Sequence, residues 1–517
     1  MKSILHIVLL LLIFSSVAFA QKKNPPANTK SSPIEILNAD RVVRDMSPVN
    51  SPQKKIKPER ILGNVIVKHE STMMYCDSAW YYQQRNVLYA FGHVHMKEGD
   101  SLNVYGDSLF FDGNAKYGKL RGHIRMVEQD MTMETDSIEF DTKLGIGRYT
   151  TGGTVRSVKN QNTLTSKKGE YHSKTKDIFF SDSVFLKSPE YTMTTDTLRY
   201  HTITETAYFM GSTVFRDKQN IVFCKGGFYN TRTEKSQFLK EVYMSNVENT
   251  LRGDTIEYDR LKGIGLARGP FTAEDTLNDM ILSGTYGWFD ETNKKSLITG
   301  NALMTRIFEK DSLYLHADTL RGEKDVKTDK QLVRAYHHVR FYKSDIQGKC
   351  DSISFNEQDS ILHLWGKPVL WHEANQLSAE KMEIKIAGKK IDKVELFDNC
   401  FIASSADTVG YNQIKGRKML ATFKGDKIDK VYIFGNGQAI YYAGEEGKKP
   451  MGMNKIECSD IVIYIGEKKL ERVHFLTEPK GEFFPLEKIN PKDALLKDFV
   501  WYGKYRPTDK ADVFRKV

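Results

Sequence analysis

The sequence predicts an all-β fold of stacked two-strand units, and three observations lead to that prediction. The segment DSLFFD at residues 107–112 returns in altered form along the chain, with a period of roughly 30 residues. Within each copy, apolar residues alternate with polar ones, as they do along a half-buried strand. Residues that favour turns separate the copies, and helical spacing does not interrupt them. We therefore expect an elongated stack with an apolar interior.

The first strand of each unit carries a polar or acidic residue followed by alternating apolar positions. After residues 107–112, clear copies begin at Asp136, Asp196, Asp254 and Asp351. About a dozen units fill most of the chain. The positions that alternation directs inward are Leu109, Phe111, Ile138, Phe140, Leu198, Tyr200, Ile256, Tyr258, Ile353 and Phe355.

The second strand follows some 15 residues later in each unit and contains a glycine. Residues 91–96 (FGHVHM) and 121–126 (RGHIRM) are two copies. Alternation directs Ile124 and Met126 inward, whereas His123 and Arg125 point outward. Because a single hairpin cannot bury its apolar face alone, each unit must stack on its neighbours.

The two ends of the chain differ from the repeats. Residues 1–20 combine Lys2, an apolar run and an Ala-x-Ala motif ending at Ala20, which predicts a secretory signal peptide. Residues 21–57 are rich in Lys, Pro, Asn and Ser and are expected to form a flexible leader. No later stretch approaches the ~20 apolar residues of a membrane helix. The mature protein is expected to be exported.

The unbroken repeat favours one or two elongated modules over three or more ordinary domains. We place a first module at residues 58–270, a second at 271–480, and a C-terminal cap and tail at 481–517. Asn490 and Pro491 precede an apolar pair, which predicts a short helix in the tail. This helix is expected to cover the last strand, whose edge would otherwise be open.

Composition and cysteine usage constrain the partners only in part. The chain has 76 Lys and Arg against 66 Asp and Glu, a net charge of +10 that permits an anionic partner. Both signs are interspersed, so nucleic acid is not an expected partner. Five cysteines in an exported protein raise the alternative of disulfide pairing. Cys76 and Cys350 both precede Asp-Ser, and this recurrence favours a small residue packed in the stack.

The residues that could take part in catalysis or metal binding do not form a pattern typical of such sites. We therefore expect no enzyme activity, no metal site and no cofactor. Two repeat aspartates could serve a carbohydrate-active β-helix enzyme, but a residue that recurs in nearly every unit is more often structural. An aspartate at a strand entrance can bond turn backbone. His93 and His95 share a predicted strand face, as two metal ligands would. His123 and Thr154 fill the position of His93 in other units, which favours a solvated outer side chain.

The interior has two interpretations. Methionines such as Met96 and Met126 beside inward aromatic residues suit an adaptable apolar groove that holds a lipid. The alternative is a structural or adhesive surface β-solenoid with a filled core and no ligand.

The serial motifs resemble the OstA-like repeats of the lipopolysaccharide-transport proteins, in which a "G-d-x-x-x-y-d" strand precedes a "G-n-V" strand. GDSLFFD at residues 106–112 and RGHIRM at 121–126 carry the resemblance, which extends over roughly residues 58–480. It implies a V-shaped, twisted β-jellyroll that acts in the periplasm, in association with the outer membrane. Its cleft would hold the lipid A acyl chains of lipopolysaccharide, and it would not be an enzyme.

The resemblance also implies partners. Jellyrolls of this family join edge to edge with other jellyroll proteins of the transport bridge and with the outer-membrane barrel component, and end-to-end oligomers are expected. This chain looks like an extended form, two fused jellyrolls without the barrel. Because the leader before Pro58 offers no strong cap, we expect the N-terminal edge at Ile61, Val65 and Val67 to dock a partner by strand addition. The expected function is a lipid-binding bridge in lipopolysaccharide transport and outer-membrane assembly.

Overall fold

The computed structural model describes residues 33–44, 57–98, 102–128, 131–158, 161–325, 327–328, 330–388, 390–406, 410–424, 427–444, 450–466 and 469–516. These residues form 36 β-strands, and the strand pairings described are antiparallel. The predicted all-β stack of two-strand repeats is confirmed. The predicted signal peptide and most of the predicted leader lie outside the described residues. Within those residues, no helix is both long and apolar enough to cross a membrane.

The chain divides into two compact units. Unit 1 contains the chain up to Val247 together with Asp254–Leu261, and unit 2 contains Glu248–Gly253 together with the chain from Lys262 onward. The strands of unit 1 are β1 Glu35–Asn38, β2 Arg41–Val43, β3 Glu59–His69, β4 Thr72–Tyr82, β5 Val87–Glu98, β6 Leu102–Asp112, β7 Tyr117–Glu128, β8 Met131–Asp141, β9 Ile146–Tyr149, β10 Gly153–Ser157, β11 Asn162–Ser166, β12 Lys168–His172, β13 Asp177–Lys187, β14 Thr192–His201, β15 Thr206–Arg216, β16 Ile221–Asn230 and β17 Lys235–Ser245.

Strand β18 (Asn249–Asp259) has residues in both units. The strands of unit 2 are β19 Ile264–Asp275, β20 Met280–Asp290, β21 Lys295–Ile307, β22 Ser312–Lys324, β23 Gln331–Tyr342, β24 Ile346–Asn356, β25 Ile361–Trp365, β26 Val369–His372, β27 Asn375–Ser378, β28 Lys381–Ala387, β29 Lys390–Ala406, β30 Gly410–Lys424, β31 Lys427–Phe434, β32 Gly437–Ala443, β33 Gly452–Cys458, β34 Asp460–Gly466, β35 Lys469–Leu476 and β36 Lys480–Pro485. The boundary that we predicted between the two modules, after residue 270, falls inside β19. The division into modules at residues 58–270 and 271–480 stays a prediction.

Alternate strands are bent near the middle by a corner, which we define as one or two residues with positive φ. In β7 these are Gly122 (φ 77°) and His123 (φ 45°), and the pairing with β8 shifts register between Arg121 and Ile124. An extra residue of this kind bends a strand and changes which face the following side chains occupy. Corners recur at intervals of 29 to 31 residues, at Gly63, Gly92, Gly122, Gly152, Asp182, Gly211, Lys240, Gly269 and Gly300.

The C-terminal segment contradicts our expectation of a helix that covers the last strand. Residues 490–496 form turns, and the helical segments of the tail are single 3₁₀ turns at Leu486–Lys488, Gly503–Tyr505 and Asp512–Phe514. The helix does not form because backbone groups of this segment bond a side chain elsewhere. Gln413 donates from Nε2 to the carbonyl of Ala494 and accepts the N–H of Leu496.

Residues 486–515, here called the strap, run back along unit 2. The side chain of Gln376 donates to the carbonyl of Val500 and accepts the N–H of Tyr502, and Gln347 accepts Nε of Arg506. These three glutamines are buried. The strap therefore covers the outer face of strands in the middle of unit 2, opposite the face that carries Phe341 and Leu370. Within the described part of the chain, no backbone hydrogen bond joins the strap to β35 or β36.

Candidate functional site: an apolar interior between two lips

The residues predicted to face the interior do lie on the inner face of their strands. Leu109, Phe111 and Ile138 are buried in the core of unit 1, and Phe140 packs against that core while keeping partial exposure. Leu198 and Tyr200 are fully buried, and Ile256 and Tyr258 are also buried. Ile353 and Phe355 belong to unit 2. The ten residues are thus inward-facing, eight in unit 1 and two in unit 2, and their contact with lipid stays a prediction.

The repeated aspartates support the corners. His123 donates from Nδ1 to Oδ2 of Asp107 over 2.7 Å, and His93 and Asp77 repeat the bond. A Cβ at Gly122 would collide with the Asp107 carboxylate. Asp107 lies in the middle of β6 rather than at the strand entrance we expected, because residues 102–106 also pair with β5 and β7. These contacts agree with the interpretation that the repeated aspartates are structural.

The two histidines considered as a metal pair have separate contacts. The hydrogen bond to Asp77 and then that carboxylate's charge raise the pKa of His93. His95 instead stacks between Tyr75 and Tyr105, with ring centroids 5.5 and 4.5 Å away. The corner at Gly92 and His93 places the His93 side chain beside Asp77 and leaves it 91% exposed, which is the solvated outward position that the sequence predicted.

The five cysteines are free thiols. Cys76, Cys224, Cys350 and Cys400 are buried, and Cys458 is partly exposed. Burial is the largest cause that raises the pKa of Cys76 to about 11 and that of Cys224 to about 12. The packing interpretation therefore holds, and disulfide pairing does not occur.

Accessibility of the interior changes along unit 1. From β13 to β16 the inward apolar side chains are fully buried: Leu186, Met193, Phe209, Phe215 and Val222 are 0% exposed. From β5 to β8 the inward residues Met96, Val104, Met126, Met133 and Phe140 pack against the core but stay partly exposed. This group is here called the open patch. It is an apolar surface made largely of flexible thioethers, which adapt to irregular partners.

Two rows of turns border the interior of unit 1. The first lip consists of the described turns that follow a strand with a corner, and these are residues 70–71, 188–191 and 217–220. The second lip consists of the turns at the other end of the strands, such as residues 113–116 and 142–145. The lips meet near the open patch, where Lys116 Nζ donates to Glu70 Oε1 over 3.1 Å. The rings of His69 and Phe111 lie 4.9 Å apart at the same place. The ion pair is exposed on both sides, so it contributes at most about 1 kcal/mol to closure.

The second lip is more firmly connected than the first. Backbone hydrogen bonds of 2.8–2.9 Å join successive turns of the second lip, from Gly113 to Asn86, Thr142 to Lys116, Ser173 to Gly145, Thr202 to Lys176 and Thr231 to Glu205. In the described part of the first lip of unit 1, backbone bonds such as Ser188 to Tyr191 stay within one turn. Among the described turns, movement of the first lip would therefore break fewer of these backbone bonds than movement of the second lip.

The expected docking edge is not an edge. Ile61, Val65 and Val67 are buried in β3, which pairs with β4 on one side and with β1 and β2 on the other. Residues 35–43 form these strands although their composition suggested a leader, because their apolar side chains complete the core beside Ile61. Among the described residues β1 and β2 pair with β3 alone, so the N-terminal edge lies there.

Sequence reasoning missed the strap anchors and the lips. It identified Met96, Met126 and Phe140 of the open patch but not the partial exposure that distinguishes them from the buried interior. The recurrence of Gln347, Gln376 and Gln413 on strands of unit 2 was visible, but the chain gives no local sign that they meet the tail.

Comparisons with known proteins agree with the repeat. The model of the OstA-like protein family matches residues 33–196 and 192–254, and that of the LptA/(LptD N-terminal domain) LPS transport proteins matches residues 287–390. A crystal structure of LptH, the LptA-homologous periplasmic component of the lipopolysaccharide transport device of Pseudomonas aeruginosa, aligns at 12% identity with a TM-score of 0.19, over 20% of this chain and 79% of that one. No curated protein matches the chain. The two family matches lie on the repeats that carry the corners, and the chain belongs to the OstA-like family of lipopolysaccharide-transport proteins.

Proposed function

We propose that this protein acts without catalysis as a periplasmic bridge component that holds lipopolysaccharide acyl chains in the interior of unit 1. The observation that carries the proposal is the open patch, where five inward apolar side chains stay partly exposed between two lips. The family and the expected signal peptide support the transport role and the compartment.

The energetics favour entry at the open patch. Each methylene buried there contributes about 0.8 kcal/mol, so a few methylenes outweigh the exposed Lys116–Glu70 ion pair that joins the lips. The fully buried stretch from β13 to β16 offers no free surface, and acyl chains would reach it only if the lips separated. A lipid therefore enters at β5–β8 and extends further only as the first lip moves.

Partners are proposed to join by strand addition at the two ends. In the described residues, β1 and β2 pair only with β3, while β35 and β36 pair only with β34 and β33. Unpaired strand edges present backbone donors and acceptors that another jellyroll can use. Other jellyrolls of the bridge, the outer-membrane barrel component or a second copy of this chain would bind there.

The test is site-specific photocrosslinking to lipopolysaccharide. Crosslinkers at the inward Met126 and Phe140 are expected to capture lipid, whereas crosslinkers at their outward neighbours Arg125 and Glu139 are not. Equal capture from both faces would show that no one-sided site exists.

A second candidate function is a structural β-solenoid with a filled core. The fully buried side chains from β13 to β16 favour it for that stretch. Mass spectrometry of organic extracts separates the two functions. Co-purified lipid A supports the transport function, and a blank from several preparations supports the solenoid.

A further inference from the structure

The inward residues nearest the first lip of unit 1 form one column that changes from open to closed along the stack. Strand pairing connects members of the open patch, through β8, β10 and β11, to the fully buried residues Leu186, Met193, Phe215 and Val222. Both parts of the column are apolar, so hydrophobicity does not distinguish them. The difference lies in the residues that stand between the column and the first lip.

The residue two positions closer to the first lip shares the inward face of the column. In the open patch this position holds Leu102 and Met131, which are partly exposed. In the buried stretch it holds Tyr191 and Asn220, which are 3% and 8% exposed. The column is therefore closed where the side chain at this position is itself buried, and Tyr191 is the largest of the four.

The Tyr191 side chain extends inward from the first lip. Burial raises the pKa of its hydroxyl well above the usual value, and the nearby Tyr229 and Glu190 raise that pKa further. Tyr229 lies at the other end of β16, just before the second-lip turn at residues 231–234. The Tyr191 hydroxyl is thus within electrostatic reach of the half of the interior that borders the second lip.

This hydroxyl is buried and forms no hydrogen bond with any residue that the structure describes. In contrast, the hydroxyl of the interior Tyr149 lies 2.7 Å from Oγ of Ser166. Oδ1 of Asn220 is a second buried atom without a partner in the described part of the chain. A buried polar group without a partner is destabilised relative to the same group in water, so the Tyr191 hydroxyl favours outward movement while its apolar ring favours burial.

The turn that carries Tyr191 has few bonds to its surroundings. Residues 188–191 connect β13 to β14, and the N–H of Ser188 donates to the carbonyl of Tyr191 over 2.9 Å within the turn. No backbone hydrogen bond joins this turn to the described turn at residues 217–220. The turn can therefore move outward with its internal backbone bond intact.

We infer that Tyr191 closes a second entrance to the interior of unit 1, and that outward movement of turn 188–191 opens it to an apolar chain. The movement brings the Tyr191 hydroxyl into solvent and uncovers Met193 from the side of the first lip. The open patch needs no such movement, so the two entrances differ in how they are controlled. The identity of the chain as a lipid rests on the proposed function, whereas the movement of the turn does not.

The thiol of Cys224 reports the opening. Cys224 is 0% exposed and shares the inward face of β16 with Val222. Cys76 is also buried in unit 1 but belongs to the core beside the open patch, which makes it the internal control. The rate at which N-ethylmaleimide modifies each thiol at pH 8 is measured by mass spectrometry.

Three variants test the role of Tyr191. Tyr191→Ala removes the ring and is expected to accelerate modification of Cys224 by about tenfold or more while leaving Cys76 unchanged. Tyr191→Phe keeps the ring without the unpartnered hydroxyl and is expected to slow modification of Cys224 by roughly tenfold. Tyr149→Phe is the matched control, because it removes a hydroxyl that has a partner and is not expected to slow the reaction.

Two results overturn the inference. Equal acceleration of Cys76 and Cys224 in Tyr191→Ala would show a general loss of stability rather than the opening of one entrance. Modification of Cys224 that Tyr191→Phe leaves unchanged or accelerates would show that the hydroxyl does not favour opening. The second result decides the question even where circular dichroism shows that Tyr191→Ala does not fold.

Lipid A as an added probe tests the ligand separately. In Tyr191→Ala, lipid A is expected to slow modification of Cys224, because a chain that fills the opened stretch excludes the reagent. Binding of lipid A without protection of Cys224 in this variant would show that lipid does not enter there. If neither the unmodified protein nor the variants bind lipid A, the proposed function is wrong, while the thiol rates still decide whether the turn moves.

Discussion

Replacement of Gln376 by methionine should release the central part of the strap. Gln376 is 1% exposed, donates to the carbonyl of Val500 over 2.8 Å and accepts the N–H of Tyr502 over 2.7 Å. Methionine is similar in volume but forms neither bond. The loss of two bonds, with two backbone groups left unsatisfied, should cost roughly 2–4 kcal/mol. Because this cost falls on the strap, local opening should become easier without unfolding the rungs.

Hydrogen exchange measures that opening directly. Since each 1.4 kcal/mol is tenfold, amide exchange in peptides around Tyr502 should accelerate by about 30-fold to 1000-fold. Gln438→Met is the matched control, because Gln438 bonds Glu457 at an exposed site on β32. Unchanged exchange near Tyr502 in the Gln376 variant, or equal acceleration in the control, would refute the assignment of Gln376 as a strap anchor.

Three further predictions concern the corners and the cysteines. Gly122→Ala should destabilise unit 1 by about 1–2 kcal/mol in urea unfolding, since φ is positive and the Cβ meets Asp107, whereas Gly147→Ala, with open space at the Cβ, should be nearly neutral. NMR titration should give His123 a pKa above about 6.5, and Asp107→Asn should abolish that rise. Because the pKa of His123 is raised in the folded protein, the stabilisation from the His123–Asp107 pair is present below the unfolded pKa and is lost as pH rises through the folded pKa. A pair that stabilises the fold more as pH rises would contradict this pH dependence. Of the five thiols, Cys458 should react first with a thiol reagent at pH 8 and the four buried ones slowly, and all five should react after denaturation without reductant; fewer would reveal a disulfide.

The repeat and the inward residues were predictable because both depend on local patterns. Alternation in residues 107–112 places Leu109 and Phe111 in the core, and the 30-residue period gives the stacking of the units. Much of the site follows from that, since the inward residues near the open patch were among those identified.

Other features depended on contacts distant in sequence. The corner at Gly122 and His123 bends β7 and shifts its register with β8. The period-two pattern does not indicate that bend, although His93 and His123 keep the outward position that alternation predicted. The helix signal at Asn490 and Pro491 was overridden by Gln413, which lies 81 residues from Ala494. Strands β1 and β2 form in a segment whose composition favoured a leader, because pairing with β3 supplies order that those residues lack alone.

The strap also affects the order in which unit 2 can fold. Neighbouring strands of the stack connect residues close in sequence, whereas the strap bonds join residues separated by 81, 126 and 159 positions. Contacts of such separation form late, because loop closure costs entropy before the contacts stabilise the fold. Until residues 490–506 are synthesised, Trp371 and Phe401 lack their cover, and an incomplete chain exposes apolar surface there. Residues 490–506 thus complete the surface of strands made more than a hundred residues earlier, so a chain truncated before Asn490 is expected to be prone to aggregation.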